Sequence, residues 1–528
     1  MSDATGRSVT VGNRGAIGSV AMIVSPHAAS AEAGARVLRR GGNAIEAVIA
    51  GGAALGVTYP HFCGLGGDAI WLVSDGNGQA DAYLGIGQAA QNVEGIREIP
   101  LRGPGSALTT ACMVDSWGTL LSHSREHWRG KEQLSALLED AIVLAEEGFE
   151  VSRSQAFWHD FRKDELTSWP GFATVFAGQG LQRQPALAAT LRMIADEGPR
   201  SFYEGPLAHR LAKALGVAGS PLTLADLHAT RTRRATPQSL DYRGLTLIAP
   251  PPPTQGVTTL GIMGVLQHFD IASLDPAEAP FYHHIVEAVK QAFLDRPFIA
   301  DPDFGGAFDA WLDPSRLAAK AAAIRTDRAL EWPYVHKPAD TAFIGAVDAE
   351  GRAVSMLQSI YFDWGSGIVP GDTGVLWQNR GAGFSLDPAS PNRLAPGKRP
   401  FYTLNPGMAL SRGKPQLVYG TQGADGQPQT LALLLSLLID HGMSPAEALA
   451  HPRFLLGRTF SDSRDSLKVE AGGHEGLTAG LAALGHEVSM IDRLSQLGGQ
   501  AGAIRRNADG NLVGAHDPRS DGGAIAIS

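Results

Sequence analysis

Three features at fixed spacings in this chain could do chemistry: a threonine heading a strand, a serine across from it, and a glycine-rich turn further on. The threonine is Thr341, in Asp340-Thr341-Ala342-Phe343-Ile344-Gly345-Ala346-Val347-Asp348. A threonine that becomes an N-terminus carries a hydroxyl nucleophile and an α-amine base on one residue. A cut between Asp340 and Thr341 would create that residue. From the hairpin alone, Thr341 reads first as an ordinary β-branched strand residue.

The serine follows from hairpin geometry. Asp348-Ala349-Glu350-Gly351-Arg352 reads as a three-residue loop, with Gly351 in the left-handed position that such loops favour. Asp348 then opposes Arg352, and stepping outward places Thr341 across from Ser359. Opposed residues share a face at ~4.5–5.5 Å between β-carbons. A second hydroxyl therefore belongs beside the first, within hydrogen-bonding reach. A slip of one residue would turn it to the other face.

The turn lies between an expected strand, Gln416 to Tyr419, and an expected helix, Thr430 to Leu438. It runs Gly420-Thr421-Gln422-Gly423-Ala424-Asp425-Gly426-Gln427-Pro428. Backbone N–H groups at a strand-to-helix turn suit an anion, including the oxyanion of acyl transfer.

The elements that must position these groups read off in order. A buried strand over Ser19 to Val24 precedes a helix from Ala28 to Arg40, closed by Gly41-Gly42. Asn43 caps the next helix, with Glu46 in capping-box spacing. That helix is apolar nearly all round, so it belongs between layers. Cys63-Gly64-Leu65-Gly66-Gly67-Asp68 enters a strand, Ala69 to Val73, so no helix N-terminus is aimed at a phosphate and no nucleotide site is implied. Helical spacing recurs over Gln133 to Glu147, Pro185 to Glu197, Pro206 to Leu215 and Phe281 to Leu294. Pro250-Pro251-Pro252-Pro253 reads first as a stiff connector and second as a pocket edge. A short basic helix is expected over Leu317 to Arg328. The polar, proline-punctuated stretch Glu331 to Pro338 suits a segment cut at its end, or a plain surface loop.

Composition removes several classes of function. The formal net charge of −9, with no Lys/Arg-rich run, argues against a nucleic-acid surface. Two cysteines, Cys63 and Cys112, are too few for a disulfide framework or a zinc site and read as core residues. His283 and His284 are adjacent on a helix and point about 100° apart, so one metal is not easily shared between them. No metal and no cofactor are called for. Met1 to Asn13 lacks an apolar stretch, and Leu431 to Ile439 is shorter than the ~20 residues that span a bilayer. A soluble, cytoplasmic protein without membrane partners is expected.

Taken together, these blocks resemble the γ-glutamyltransferase family of N-terminal nucleophile hydrolases over nearly the whole chain. The resemblance rests on Gly42-Asn43-Ala44-Ile45-Glu46-Ala47, Gly64-Leu65-Gly66-Gly67, the prolines at 250–253, and Val286 through Arg296. It continues in Asp301-Pro302-Asp303-Phe304, Thr341 to Val354, Gly365 to Pro370, Lys398-Arg399-Pro400 and Asp517-Pro518-Arg519. It implies an α+β fold, a four-layer αββα sandwich. It also implies a proenzyme cut between Asp340 and Thr341 into a large chain, 1–340, and a small chain, 341–528, sharing one catalytic domain. These chains would form a heterodimer, with a dimer of heterodimers as a further option. Catalytic roles would fall on Thr341 and Ser359, with oxyanion donors at Gly423 and Ala424, where the family has a Gly-Gly pair.

Departures from the family pattern bear on substrate. The glutamyl-recognising arginine aligns with Val93, and the aspartate for the α-amino group aligns with Gly383. A glutamine becomes Arg380, an asparagine becomes Tyr361, and a serine pair becomes Tyr402-Thr403. Without a counter-charge for an ammonium group, a γ-glutamyl substrate would be poorly held. Arg380 offers a forked cation for a carboxylate, so Arg380, Tyr361, Tyr402 and Thr403 are the expected substrate-binding residues. The segment Ser385 to Lys398 is short for a lid. The chain resembles the oxamate amidohydrolase branch of the family, and bulky Tyr361 and Tyr402 favour a short acyl group. The expected reaction is oxamate to oxalate and ammonia. A glutaryl or cephalosporin-type acylase, a γ-glutamyl hydrolase or transpeptidase, and a processing-dead binding protein are the alternatives.

Overall fold

The computed structural model describes residues 16–528 apart from 19, 167–168, 170–171, 307, 333–340, 458–464 and 473–475. The expected hairpin lies near the middle of a seven-stranded antiparallel sheet. Across this first sheet run Gly523–Ile527, Ala21–Ser25, Ala342–Val347, Ala353–Ser359, Asp68–Ser74, Ala80–Gly85 and Arg233–Ala235. Ala342 pairs with Gln358 and Val347 with Ala353, the register that the short loop dictates. Gly351 sits at φ +80°, and its N–H donates to the Asp348 carbonyl at 2.9 Å.

Side chains along these strands alternate in destination, as a period of two requires. Ile23, Trp71, Ile344, Ala346, Val354 and Met356 point outward into a core shared with the helices. Met22, Val24, Ile70, Leu72, Phe343 and Leu357 point inward, against Met408, Val418 and Ile504 of a second sheet. That sheet is also seven-stranded and antiparallel: Ala16–Gly18, Leu512–His516, Ala501–Arg506, Lys414–Thr421, Gly407–Ser411, Leu245–Ala249 and Gln238–Tyr242. Its outer face, including Leu417 and Tyr419, packs on the helices Gly256–Leu266, Ala279–Phe293 and Gln427–Leu435. Helix, sheet, sheet, helix is the αββα sandwich.

The first outer layer is built as its sequence indicates. Asn43 caps the helix Ala44–Thr58 in a full capping box with Glu46, and all fifteen residues of that helix are buried. The helix packs against Ala28–Arg39 on one side and Leu134–Glu147 on the other. Phe343 pins the strand that follows Thr341. Its ring occupies the space where β-carbons on Gly420 and Gly502 of the facing sheet would lie. Among the described residues, no helix is long and apolar enough to cross a membrane.

Two helices differ from expectation. The basic helix spans Pro314–Ala322 and stops short of Arg328, because the chain beyond it docks on Ala279–Phe293. There the Arg325 carbonyl meets His283 Nε2 at 2.7 Å. The helix after the glycine-rich turn starts at Gln427, not Thr430. Pro428 falls in its first turn, where a missing N–H costs nothing.

Candidate active site

Thr341 is fully buried and immediately precedes the strand Ala342–Val347. Its parity with Phe343 turns it toward the space between the sheets. Asp340 lies outside the described residues. Ser359 ends the opposing strand, one step beyond the Ala342–Gln358 pair. Ser359 is itself paired with Asp68 on the next strand. Thr341, Ser359 and Asp68 therefore form one inward-facing row across three adjacent strands.

The Thr341 hydroxyl accepts a hydrogen bond from Gln427 Nε2 at 3.2 Å. Gln427 is also buried, and its Oε1 accepts the Asn405 N–H at 3.1 Å, which fixes which end of the amide faces the threonine. The Ser359 hydroxyl accepts the N–H of Tyr361 at 2.8 Å. Register thus places Thr341 and Ser359 at facing positions, and the contact on the Thr341 hydroxyl comes from the helix start. Gln427 stood in the turn sequence without any marker of that role, since only tertiary packing aims it.

Gly423 and Ala424 open the turn at φ +124° and +49°. An alanine in the left-handed region costs roughly 1–2 kcal/mol, and the surroundings hold it there. Gln255 Nε2 donates to the Ala424 carbonyl at 2.8 Å and to the Thr403 carbonyl at 2.6 Å. Arg296 Nε donates to Gln255 Oε1 at 2.9 Å, and Arg296 also forms an ion pair with Asp425. Among the described residues, the N–H groups of Gly423 and Ala424 meet no acceptor. Free backbone donors in a turn locked from behind can receive an oxyanion with little rearrangement.

Arg380 is fully buried in the short turn Arg380–Gly383. Its guanidinium carbon lies 3.9 Å from the ring centre of Tyr361 and 4.0 Å from that of Tyr402. None of its three nitrogens has a hydrogen-bond partner among the described residues. Burial lowers its pKa to about 10, so it remains a cation at neutral pH. Both rings lie against the guanidinium, and the edge of its fork meets no hydrogen-bond acceptor among the described residues. The tyrosines, expected as substrate-binding residues whose bulk shortens the pocket, clamp the arginine. Tyr361 adopts φ +82°, a strained setting for a bulky residue, and clusters with Phe362 and Ala424. That contact connects the guanidinium to the turn at Gly423 and Ala424.

The proline run is part of this arrangement and not merely a connector. The Pro253 carbonyl accepts the Tyr402 N–H at 2.8 Å, and the Tyr402 carbonyl accepts the Gln255 N–H at 2.9 Å. Among the described residues, the buried Thr403 hydroxyl meets no hydrogen-bond partner. The Tyr402 hydroxyl donates to Asp68 Oδ2. Asp68 Oδ1 accepts the N–H groups of Gly87 and Cys112 at 2.9 and 2.8 Å. Burial pushes the Asp68 carboxyl up to about 7, against the pull of Arg380. Val93 is half-buried against the first helical layer. A β-carbon on Gly383 would make ordinary contact, 3.8 Å from Arg380 Cδ.

The two adjacent histidines diverge. His284 Nδ1 meets the Pro280 carbonyl, whereas His283 Nδ1 meets His486 Nε2 at 2.8 Å. His283, Glu287 and His486 come close enough to share a cation. The Lys290 ammonium, 2.7 Å from Glu287, already supplies one.

The gamma-glutamyltranspeptidase family profile matches residues 30–527. The oxamate amidohydrolase proenzyme of Klebsiella pneumoniae subsp. pneumoniae is 44% identical over 95% of this chain and 98% of its own length. The glutathione hydrolase-like YwrD proenzyme of Bacillus subtilis is 40% identical over 98% of this chain and 100% of its own. Among solved structures, a cephalosporin acylase from Bacillus halodurans superposes with a TM-score of 0.89 at 29% identity, covering 100% of this chain and 99% of that one. The chain belongs to the gamma-glutamyltranspeptidase family, a proenzyme of the N-terminal nucleophile amidohydrolases.

Proposed function

We propose that the chain cuts itself between Asp340 and Thr341 and that the mature heterodimer, 1–340 with 341–528, hydrolyses oxamate to oxalate and ammonia. The observation that carries this reading is Arg380: buried, cationic, flanked by two tyrosine rings and, among the described residues, without a hydrogen-bond partner. A buried guanidinium whose donors meet no acceptor among the described residues is costly unless a ligand completes it. An edge-on carboxylate would make the bidentate pair for which guanidinium is suited. The nearby carboxylate, Asp68, already accepts three hydrogen bonds, so it is poorly placed to receive an α-ammonium group. A carboxylate-bearing acyl group without an amine fits this balance of charge, and the 44% identical relative bears the name of an oxamate amidohydrolase.

In the mechanism, the freed Thr341 amine, with a pKa near ~7.7–8, is partly neutral at physiological pH. It accepts the hydroxyl proton, directly or through water, as Oγ attacks the oxamate amide carbon. Gly423 and Ala424 N–H groups receive the oxyanion, and Arg380 holds the neighbouring carboxylate in the plane of its fork. Collapse breaks the C–N bond, and the amine returns its proton to the departing ammonia. Water then hydrolyses the oxalyl-threonine ester by the same route, releasing oxalate. Gln427 and Ser359 hold the Thr341 hydroxyl and the Tyr361 backbone in place.

The test compares ammonia release from oxamate with hydrolysis of glutaryl and γ-glutamyl anilides by the purified mature enzyme. A higher kcat/KM for oxamate is expected. Preference for the γ-glutamyl compound would overturn the reading of Arg380, Val93 and Gly383.

A further inference from the structure

Asp68 takes no part in the reaction just described, yet it ends the row of inward-facing polar residues that begins at Thr341 and passes through Ser359. Neighbouring strands lie ~4.8 Å apart, so two strand spacings separate the carboxylate from the nucleophile. That is too far for direct proton exchange with the reacting atoms. Its link to the site is instead Tyr402, whose hydroxyl bonds Asp68 while its ring covers one face of Arg380.

Charge balance gives this link a consequence. Arg380 and Asp68 are both fully buried, and together they leave the pocket neutral. A substrate carboxylate arriving at Arg380 adds a second anion beside one cation, in a site with little water. Like charges sharing a buried site raise the proton affinity of one of them. The bound carboxylate is an α-keto-type acid that resists protonation, so the proton goes to the enzyme carboxyl.

We propose that Asp68 takes up one proton from solvent when a carboxylate ligand binds Arg380, making Asp68 a positioning and affinity-setting residue of the acyl site. This rests on the reading that Arg380 holds the substrate carboxylate. On protonation, Asp68 Oδ2 becomes a donor and the Tyr402 hydroxyl turns to accept, so the clamp on Arg380 survives in both states. No other bond changes.

The groups facing Asp68 allow this. Its own strand and the Ser359 strand contribute no charge at that end. Cys112, at the start of the helix Met113–His127, faces it, and Tyr203 lies within its field; burial pushes that thiol and that phenol further up, so both stay neutral. Gln378 and the Gly87 and Cys112 N–H groups are uncharged donors, and Arg380 is the cation that acts on it. The carboxyl of the free enzyme, raised to about 7, is poised to gain a proton near neutrality.

The consequence is a split between kinetic constants. Above pH ~7, KM for oxamate should rise by about tenfold per pH unit, because binding then requires a proton that free Asp68 no longer holds. The kcat should not follow that rise.

Titration calorimetry of the mature enzyme with oxalate, which it does not turn over, tests the proposal directly. At pH 8, the binding heat in buffers of different ionisation enthalpy should report close to one proton taken up per oxalate. At pH 5.5 it should report close to none. In Asp68→Asn the uptake at pH 8 should vanish and affinity should no longer fall with pH. Tyr402→Phe, which keeps the carboxyl, should retain uptake with weaker binding. Arg380-dependent binding with no proton uptake in wild type would overturn the proposal and leave the Arg380 reading intact. Oxalate binding that survives Arg380→Met would overturn both.

Discussion

Replacing Arg380 with methionine should separate function from stability, because this side chain is costly to the fold and valuable to the ligand. On the substrate side, the fork would make two charge-assisted hydrogen bonds to a carboxylate, worth about 1.5–3 kcal/mol each. Their loss predicts a fall in kcat/KM of about 10²–10⁴-fold, at roughly 1.4 kcal/mol per decade. On the folding side, a buried ion without hydrogen bonds carries a desolvation cost of several kcal/mol. The two tyrosine faces offset this by about 2 kcal/mol each when desolvated. Methionine fills similar space and needs no partner. The melting midpoint should therefore hold or rise, whereas truncating an ordinary large core residue costs about 2–5 kcal/mol. Paired measurements of oxamate-dependent ammonia release and thermal unfolding on wild type and Arg380→Met decide the matter. A variant that keeps its activity, or one that melts several degrees lower, would refute the reasoning, since Arg380 would then be a structural residue.

Gly383→Asp adds a carboxylate near Arg380 on a β-carbon that meets only ordinary contacts. It should occupy the fork from within, raising KM for oxamate by at least tenfold while raising the melting midpoint; an unchanged KM would show that the fork does not face Gly383. Gln427→Leu removes the donor to Thr341 Oγ1. It should lower kcat by about 2–10-fold, the worth of one neutral hydrogen bond, with KM little changed; an unaltered kcat would remove Gln427 from the site. Gly420→Ala drives a methyl into the Phe343 ring. Overpacking of about 1–3 kcal/mol should lower the melting midpoint and slow chain cleavage, and normal cleavage with normal melting would show that Phe343 does not hold the Thr341 strand.

What the sequence made legible was local. The hairpin register followed from one glycine and a loop length, because a strand's period of two leaves no intermediate setting. The capping box at Asn43 and the all-buried helix behind it were likewise written in neighbouring residues. Arg380, Tyr361 and Tyr402 could be singled out by their alignment with the family pattern, but neither the clamp they form nor its link to Asp68 could be. Tyr361, Tyr402 and Asp68 come from three distant segments, and only the stacking of the sheets brings them together. Asp68 was hidden for the same reason: in the sequence it merely closes a glycine-rich turn, and its carboxyl acquires meaning from burial against Tyr402 and Arg380. Gln427 and the strap from Pro253 to Tyr402 are further cases of roles assigned by packing between elements.

The central claim is that Thr341 is released as an N-terminus and acts as the nucleophile. N-terminal sequencing of the purified protein after denaturing electrophoresis tests it most directly. Two chains are predicted, the smaller beginning Thr-Ala-Phe-Ile-Gly, with Thr341→Ala remaining a single inactive chain. A wild-type protein that stays a single chain while releasing ammonia from oxamate, or one cut at another bond, would contradict the account.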